Sequence, residues 1–290
     1  MDSSQQYYKF SRKLPRLCFL SSLLILLSLP TAWAQDFTIQ SGNIPIIVVS
    51  VHGGWQKLSG ARVREKGTSQ DPRFSKKKDL VTYKLARLYK SRLSHHLGSG
   101  MQPSWLANRV HRKYVDLNRN SSHSSELSTA REYHQTFHNQ LKAEISRLKQ
   151  QFDWIVILDI HGQTAVSTDL IVGTQRGAST EDWAEKLMWG RGGVLETLNS
   201  AEYSTQPKHP KQAFRFAGGY ITKYYGRDRA IQVFQLEHGK ALRFDRESNE
   251  NFVDLFSQTL TRSLKESMRI EDDWFFPKPQ KDDKISVSSS

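Results

Sequence analysis

Residues 154–160 read Trp-Ile-Val-Ile-Leu-Asp-Ile, a run too apolar for a strand with one face in water. A near-continuous apolar strand is buried on both sides, which calls for a largely parallel sheet with helices packed on each face. The run ends in Asp159-Ile160-His161-Gly162. Strand alternation sets Asp159 and His161 on the same side, where open α/β sheets usually carry their ligand sites.

Other segments fit this frame. Residues 44–51, 170–172 and 231–236 read as strands, and 105–117 as a strand region carrying Val110 and Val115. Helical spacing marks 80–97, and a long amphipathic helix over 125–152 has Ser125 or Ser128 as its cap and Leu141, Ile145 and Leu148 as its buried stripe. A further helix, capped by Thr180, runs towards Leu198. Residues 218–225 form a short helix or turn, and 248–268 the closing helix. The alternation predicts an α/β fold with a mixed, mostly parallel central sheet flanked by helices, in one domain over 35–275. The polar stretch 58–78 reads as a long functional loop, and 276–290 as a disordered polar tail.

The first 34 residues read as a secretion signal. Lys9, Arg12, Lys13 and Arg16 are its basic part, Leu17 to Leu29 its apolar part, and Ala32-Trp33-Ala34 its cleavage site. The apolar run is short for a membrane span, so export to the periplasm or medium is expected, without stable membrane insertion. The single cysteine, Cys18, lies within this signal; the rest of the chain can form neither disulfides nor thiolate metal sites. The formal net charge of +13 favours anionic small molecules or envelope polymers. Apart from Lys76-Lys77-Lys78 the basic residues are dispersed and no nucleic-acid motif accompanies them, so nucleic acid is not an expected partner. Oligomeric state leaves no mark in the sequence.

His52 follows the strand at 44–51 and precedes Gly53-Gly54, which let the backbone bend sharply and leave room beside the ring. Two strand-end histidines, His52 and His161, point to a metal site. With cysteine excluded, the third ligand is a carboxylate: Asp79, where the helix at 80–97 opens, or Glu65 in the polar loop. In Asp116-Leu117-Asn118-Arg119-Asn120, an Arg fork beside an Asn amide suits a substrate carboxylate. Arg109 and Arg112 upstream are candidates for polarising a carbonyl. Glu237 ends an apolar strand, where partial burial raises its pKa and fits it for moving protons.

The ordered set His-Gly-Gly (52–54), Asp-Leu-Asn-Arg (116–119), Asp-Ile-His-Gly (159–162), Gly-Gly-Tyr (218–220) and Gln-Leu-Glu (235–237) resembles the N-formylglutamate amidohydrolase family, which is similar to the zinc carboxypeptidases and aspartoacylases. The resemblance spans roughly 44–268. It implies a zinc carboxypeptidase-like (phosphorylase/hydrolase-like) fold holding one zinc ion at the strand ends. His52 and His161 would be ligands, Arg112 would assist the carbonyl, Asn118 and Arg119 would hold the substrate carboxylate, Glu237 would be the general base, and Tyr220 would line the pocket. Zinc carboxypeptidases place an acidic ligand three residues after the first histidine. Here that position is Trp55, so the carboxylate is expected farther along.

These readings converge on an exported zinc-dependent amidohydrolase that cleaves a C–N amide bond in a carboxylate-bearing N-acyl amino acid, an N-formylglutamate-like compound or a small peptide. The alternative is a non-catalytic carboxylate- or peptide-binding protein on the same scaffold.

Overall fold

The computed structural model describes residues 36–65 and 74–267. The secretion signal and the polar tail expected from the sequence lie outside the described residues, as does 66–73 of the long loop. In chain order the elements are β1 (Phe37–Gln40), β2 (Ile46–Ser50), α1 (Thr82–Leu97), β3 (Ser104–Asn108), α2 (Ser121–Ser124), α3 (Ser128–Lys149), β4 (Ile155–Gly162), β5 (Leu170–Gly173), α4 (Asp182–Trp189), α5 (Val194–Ser200), β6 (Thr205–Gln206), α6 (Tyr220–Tyr225), β7 (Ile231–His238), α7 (Lys240–Phe244) and α8 (Arg246–Ser267). Among the described residues, no helix is long and apolar enough to cross a membrane.

One seven-stranded sheet runs β1-β3-β2-β4-β7-β5-β6. The pairs β3/β2, β2/β4, β4/β7 and β5/β6 are parallel, and β1/β3 and β5/β7 antiparallel. The expected mixed, mostly parallel sheet is present, with the apolar run at 154–160 in its central strand. Each face has its own core. Val156, Leu158 and Ile160 of β4 pack with Phe234 and Leu236 of β7 against α1, α4, α5 and α8. Ile155, Ile157, Ile231 and Val233 pack on the other face against α3 and α6. Helix α3 reaches that face through Tyr133, Phe137, Leu141, Ile145 and Leu148, a stripe at spacings of three and four.

Three local expectations are corrected. The strand region at 105–117 is a strand only to Asn108. There the Asn108 amide donates to Val51 O and Val110 O while its Oδ1 takes the Val110 N–H, a local turn that competes with the ladder. Arg109 O then accepts from Trp55 and Gln56, so the chain leaves the sheet. Neither Ser125 nor Ser128 caps α3: the cap position is Leu127, whose N–H bonds Ser125 Oγ. The helix from Thr180 towards Leu198 is two helices, broken at Gly190–Gly193, and the cap position of α4 is Glu181 rather than Thr180, without a side-chain cap bond. The chain bends at Val51–His52, just before the paired glycines, and the glycines have a further role. Neither has a positive φ. A Cβ on Gly53 would lie 2.4 Å from Tyr83 N, and one on Gly54 2.3 Å from Val110 O, so glycine is needed for close backbone approach.

His138, on the buried face of α3, bonds Leu117 O at 3.0 Å and the Tyr225 hydroxyl at 2.9 Å. Burial, reinforced by neighbouring His134, pushes its pKa down to about 3. The unfolded chain takes up this proton first, near the ordinary histidine value of about 6.5. The stabilising effect of keeping His138 neutral is therefore full above about 6.5 and is lost as pH falls towards about 3, amounting to about 2 kcal/mol by pH 5. His138→Gln is expected to lower Tm at pH 7 yet flatten the decline between pH 7 and 5; parallel pH profiles in denaturant titrations would contradict this.

Candidate metal centre and its cleft

On the α3-facing side, β4 and β7 each read apolar, apolar, polar, polar: Ile155, Ile157, Asp159, His161 and Ile231, Val233, Gln235, Glu237. The register puts Asp159 beside Gln235 and His161 beside Glu237. β2 contributes His52 just past its end, in the lining of the same cleft.

The carboxylate that joins the two histidines is Asp79. Its Oδ2 lies 3.4 Å from His52 Nδ1 and 3.1 Å from His161 Nδ1. Its backbone N–H donates to His52 O at 3.0 Å, so a long excursion ends where it began. Among the described residues, His52, Asp79 and His161 form a group whose ligand atoms lie within 4.8 Å of one another. Glu65 stands outside it: the residue is exposed, and its N–H bonds Glu126 Oε1. Asp79 does not cap α1, whose cap position is Val81. Val81 has φ 74°, a strained setting for a β-branched residue, in the turn that carries Asp79 into α1.

The donor set fits a divalent cation. His52 Nε2 is committed to Asp116 Oδ1 at 2.7 Å, while its Nδ1 is a buried polar atom without a hydrogen-bond partner. His161 has Nε2 3.0 Å from Asp159 Oδ2 and Nδ1 towards Asp79. Asp116 thus fixes one nitrogen of His52 and leaves the other facing the shared centre, as metal-binding histidines require, while Asp159 faces His161 as an ion pair whose oxygens make no hydrogen bond among the described residues. Burial opposes charge on Asp79, but the facing imidazoles outweigh it and hold its carboxyl well below the usual range. Burial also opposes charge on His161, and is outweighed by Asp159, Asp79 and Glu237, so its pKa is raised well above the ordinary value. The electrostatics of the centre favour a positive charge.

Glu237 is 6% exposed and takes a 2.9 Å hydrogen bond from Gln235 Nε2. Burial raises its pKa to about 7; Asp79 and Asp159 add to the rise, while His161 and Arg112 oppose it. Arg112 directs Nε and Nη2 onto Asp116 Oδ2 at 2.9 and 2.8 Å, with Nη1 3.9 Å from Asp79 Oδ1. Arg119 lines the cleft, with Nη1 on Asn118 O. Asn118 also reaches the cleft, but its amide is engaged by the protein: Nδ2 lies 3.3 Å from both His161 Nε2 and Gln235 Oε1, and Oδ1 takes the Ile221 N–H. Arg109 is drawn away to Thr38 Oγ1. Tyr220 is not brought to the cleft wall. Its N–H bonds Asn118 O, and its ring packs on His134, His138 and Tyr224. Gly218 and Gly219 form the wall; a Cβ on Gly219 would lie 2.2 Å from Asn118 Nδ2.

Several residues that brace the site escaped the sequence reading. His134 and His138, one turn apart on α3, bond Arg119 O and Leu117 O. Buried Arg243 donates to His238 O, Leu80 O and Gln163 O, tying the ends of β7 and β4 to the residue after Asp79. Gly162 makes room for it, since a Cβ there would lie 2.6 Å from the guanidinium. Arg64, 2% exposed, donates to Arg112 O and Ser75 O. Buried histidines in a helix stripe are the one signal that was visible: the spacing that buries Tyr133 and Phe137 also buries His134 and His138.

The centre opens into a cleft of about 1380 Å³, larger than the few hundred to about 1,000 Å³ of ordinary small-molecule sites.

A family model described as N-formylglutamate amidohydrolase matches residues 127–242, bearing out the resemblance read from the motifs. The match includes His161, Gly218-Gly219-Tyr220 and Glu237, while His52, Asp79 and Arg112 lie outside it. The crystal structure of N-formylglutamate amidohydrolase from Ralstonia eutropha JMP134 superimposes with a TM-score of 0.56 at 14% identity, over 81% of this chain and 99% of that one. A gene product of Agrobacterium tumefaciens superimposes with a TM-score of 0.53 at 11% identity, over 80% of this chain and 95% of that one. At these identities the superpositions establish a shared fold. No curated protein sequence matches the chain.

Asp116 holds both His52 and Arg112, so Asp116→Asn is expected to weaken divalent-metal binding about ten- to a hundredfold. Titration with zinc against a competing chelator reads this directly, and an unchanged affinity would remove Asp116 from that role.

Proposed function

We propose that this chain, which a family model described as N-formylglutamate amidohydrolase matches over residues 127–242, is a zinc-dependent enzyme that cleaves the amide bond of a carboxylate-bearing N-acyl amino acid or small peptide. The observation that carries this reading is the convergence of His52, Asp79 and His161 beside Glu237. Two imidazoles and one carboxylate, with no cysteine, are a donor set used by catalytic zinc. When bound, such an ion supplies Lewis acidity towards the carbonyl and lowers the pKa of water.

The chain's own groups divide the remaining work. Glu237, with its pKa raised to about 7, takes a proton from the attacking water and delivers it to the leaving nitrogen. Arg112, steadied by two bonds to Asp116, donates to the carbonyl oxygen as that oxygen gains charge. Arg119 receives the substrate carboxylate. Asn118, whose amide is bonded at both ends, keeps Gln235 and the Gly218-Gly219 wall in register and offers its remaining hydrogen-bonding capacity to the same carboxylate. The basic, apolar and Ala-Trp-Ala pattern of residues 1–34 supports export, which favours substrates met outside the cytoplasm.

Elemental analysis of the protein after dialysis without chelator is expected to find about one zinc per chain. A chain that stays metal-free when zinc is offered would overturn the reading. Glu237→Gln is expected to keep the metal and lose about 10²- to 10⁴-fold in kcat; near-normal turnover would dismiss Glu237 as the base. Arg119→Ala is expected mainly to raise KM for carboxylate substrates.

A further inference from the structure

The cleft is much more cationic than one substrate carboxylate requires. Asp79 and Glu237 are the carboxylates among its lining residues, and both lie at the centre. Lys76, Lys77 and Lys78 lead into Asp79 on one side. Arg176 and Arg215 line the other side. None of these five side chains has an ion-pair partner among the described residues, although Arg215 lies over the Phe216 ring. Elsewhere on the surface, Arg229, Arg246 and Arg262 each meet a glutamate. Unpaired charges of one sign facing a concave wall focus their potential into it.

The topology separates the two groups. The lysines arrive at the end of β2, because Asp79 N–H is bonded to His52 O. Arg176 follows β5, and the Arg215 segment is drawn to the same strand by the bond from Gln175 N–H to Ala217 O. In the order β2-β4-β7-β5, three strand spacings separate them, about 14 Å. The centre reaches from His52 and Asp79 at the β2 end to His161 and Glu237 on β4 and β7, so the lysines border it on the β2 side and Arg176 with Arg215 lie beyond it on the β5 side. An extended peptide covers that distance with about four residues.

We propose that the cleft is built for an acidic peptide chain lying across the sheet, with carboxylates on both sides of the scissile amide held by the lysine group and by Arg176 with Arg215. This rests on the reading of the centre as an amide hydrolase. A polyanion that reaches such a centre productively must contain amide bonds, which favours an acidic peptide over a nucleic acid.

The test measures binding to the full-length, zinc-loaded Glu237→Gln protein by calorimetry, so it does not require turnover. The ligands are N-acetylated glutamate peptides of one, two, four and six residues, the four-residue glutamine analogue and a thymidine oligonucleotide. Affinity is expected to rise at least tenfold between two and four glutamates, to level off by six, and to fall with salt. Lys76→Gln with Lys77→Gln, or Arg176→Gln with Arg215→Gln, all exposed positions, is expected to weaken the four-residue ligand about tenfold and the two-residue ligand much less. Equal affinity for two and four glutamates, equal affinity for the glutamine peptide, or equally tight oligonucleotide binding would each overturn the proposal. Length-dependent binding without hydrolysis of the same peptides by the wild-type protein would instead overturn the hydrolase reading and leave the acidic-peptide site standing.

Discussion

The parallel pairing of β4 with β7 is the constraint on which the site depends. Its register runs unbroken from Ile155 opposite Ile231 to Gly162 opposite His238. The first residues of both strands are anchored in two cores, so neither strand can slip without turning isoleucines to the polar side. This anchorage sets His161 beside Glu237 and Asp159 beside Gln235. Charged groups at such depth are costly unless paired, and here each offsets another: Asp159 against His161, Asp116 against His52 and Arg112, and Asp79 between the two imidazoles.

The residues around this pair come from stretches with little regular structure, and cross-braces fix them. The 109–119 segment leaves the sheet after β3, yet α3 grips two of its carbonyls through His134 and His138. Arg64 holds a third, Arg112 O. Arg243 fastens Leu80 to the ends of β4 and β7. Each brace is a buried nitrogen donor directed at a backbone carbonyl, which satisfies the loop's polar groups while positioning them. The site is thus rigid where its backbone is irregular.

Much of this was legible in the sequence, and the failures have physical causes. The apolar run at 154–160 announces a central strand, and alternation along it places Asp159 with His161. The choice between Asp79 and Glu65 depended on where a loop of more than twenty residues returns, which the Asp79–His52 backbone bond decides and local pattern does not. The overlong strand at 105–117 concealed the Asn108 turn, because Val110 and Val115 are apolar for the sake of the α3-side core rather than for a ladder. Tyr220 follows two glycines, but the first turn of α6 sends its ring to the α3 histidines. Arg243 could not be singled out, since a buried arginine whose hydrogen bonds go to backbone oxygens looks like any surface arginine in sequence.

The bond between Asp79 N–H and His52 O has one more consequence. It closes the excursion between these residues like a clasp, and the positions of both side chains depend on the clasp rather than on the length of chain it encloses. Closing a longer loop costs little extra entropy. Gly53, Gly54 and Arg64 are themselves packed or bonded against the site, so the changes in length that leave the centre's shape intact are those between Arg64 and Phe74, where descendants of the same chain can diverge in size without redesigning the chemistry beneath.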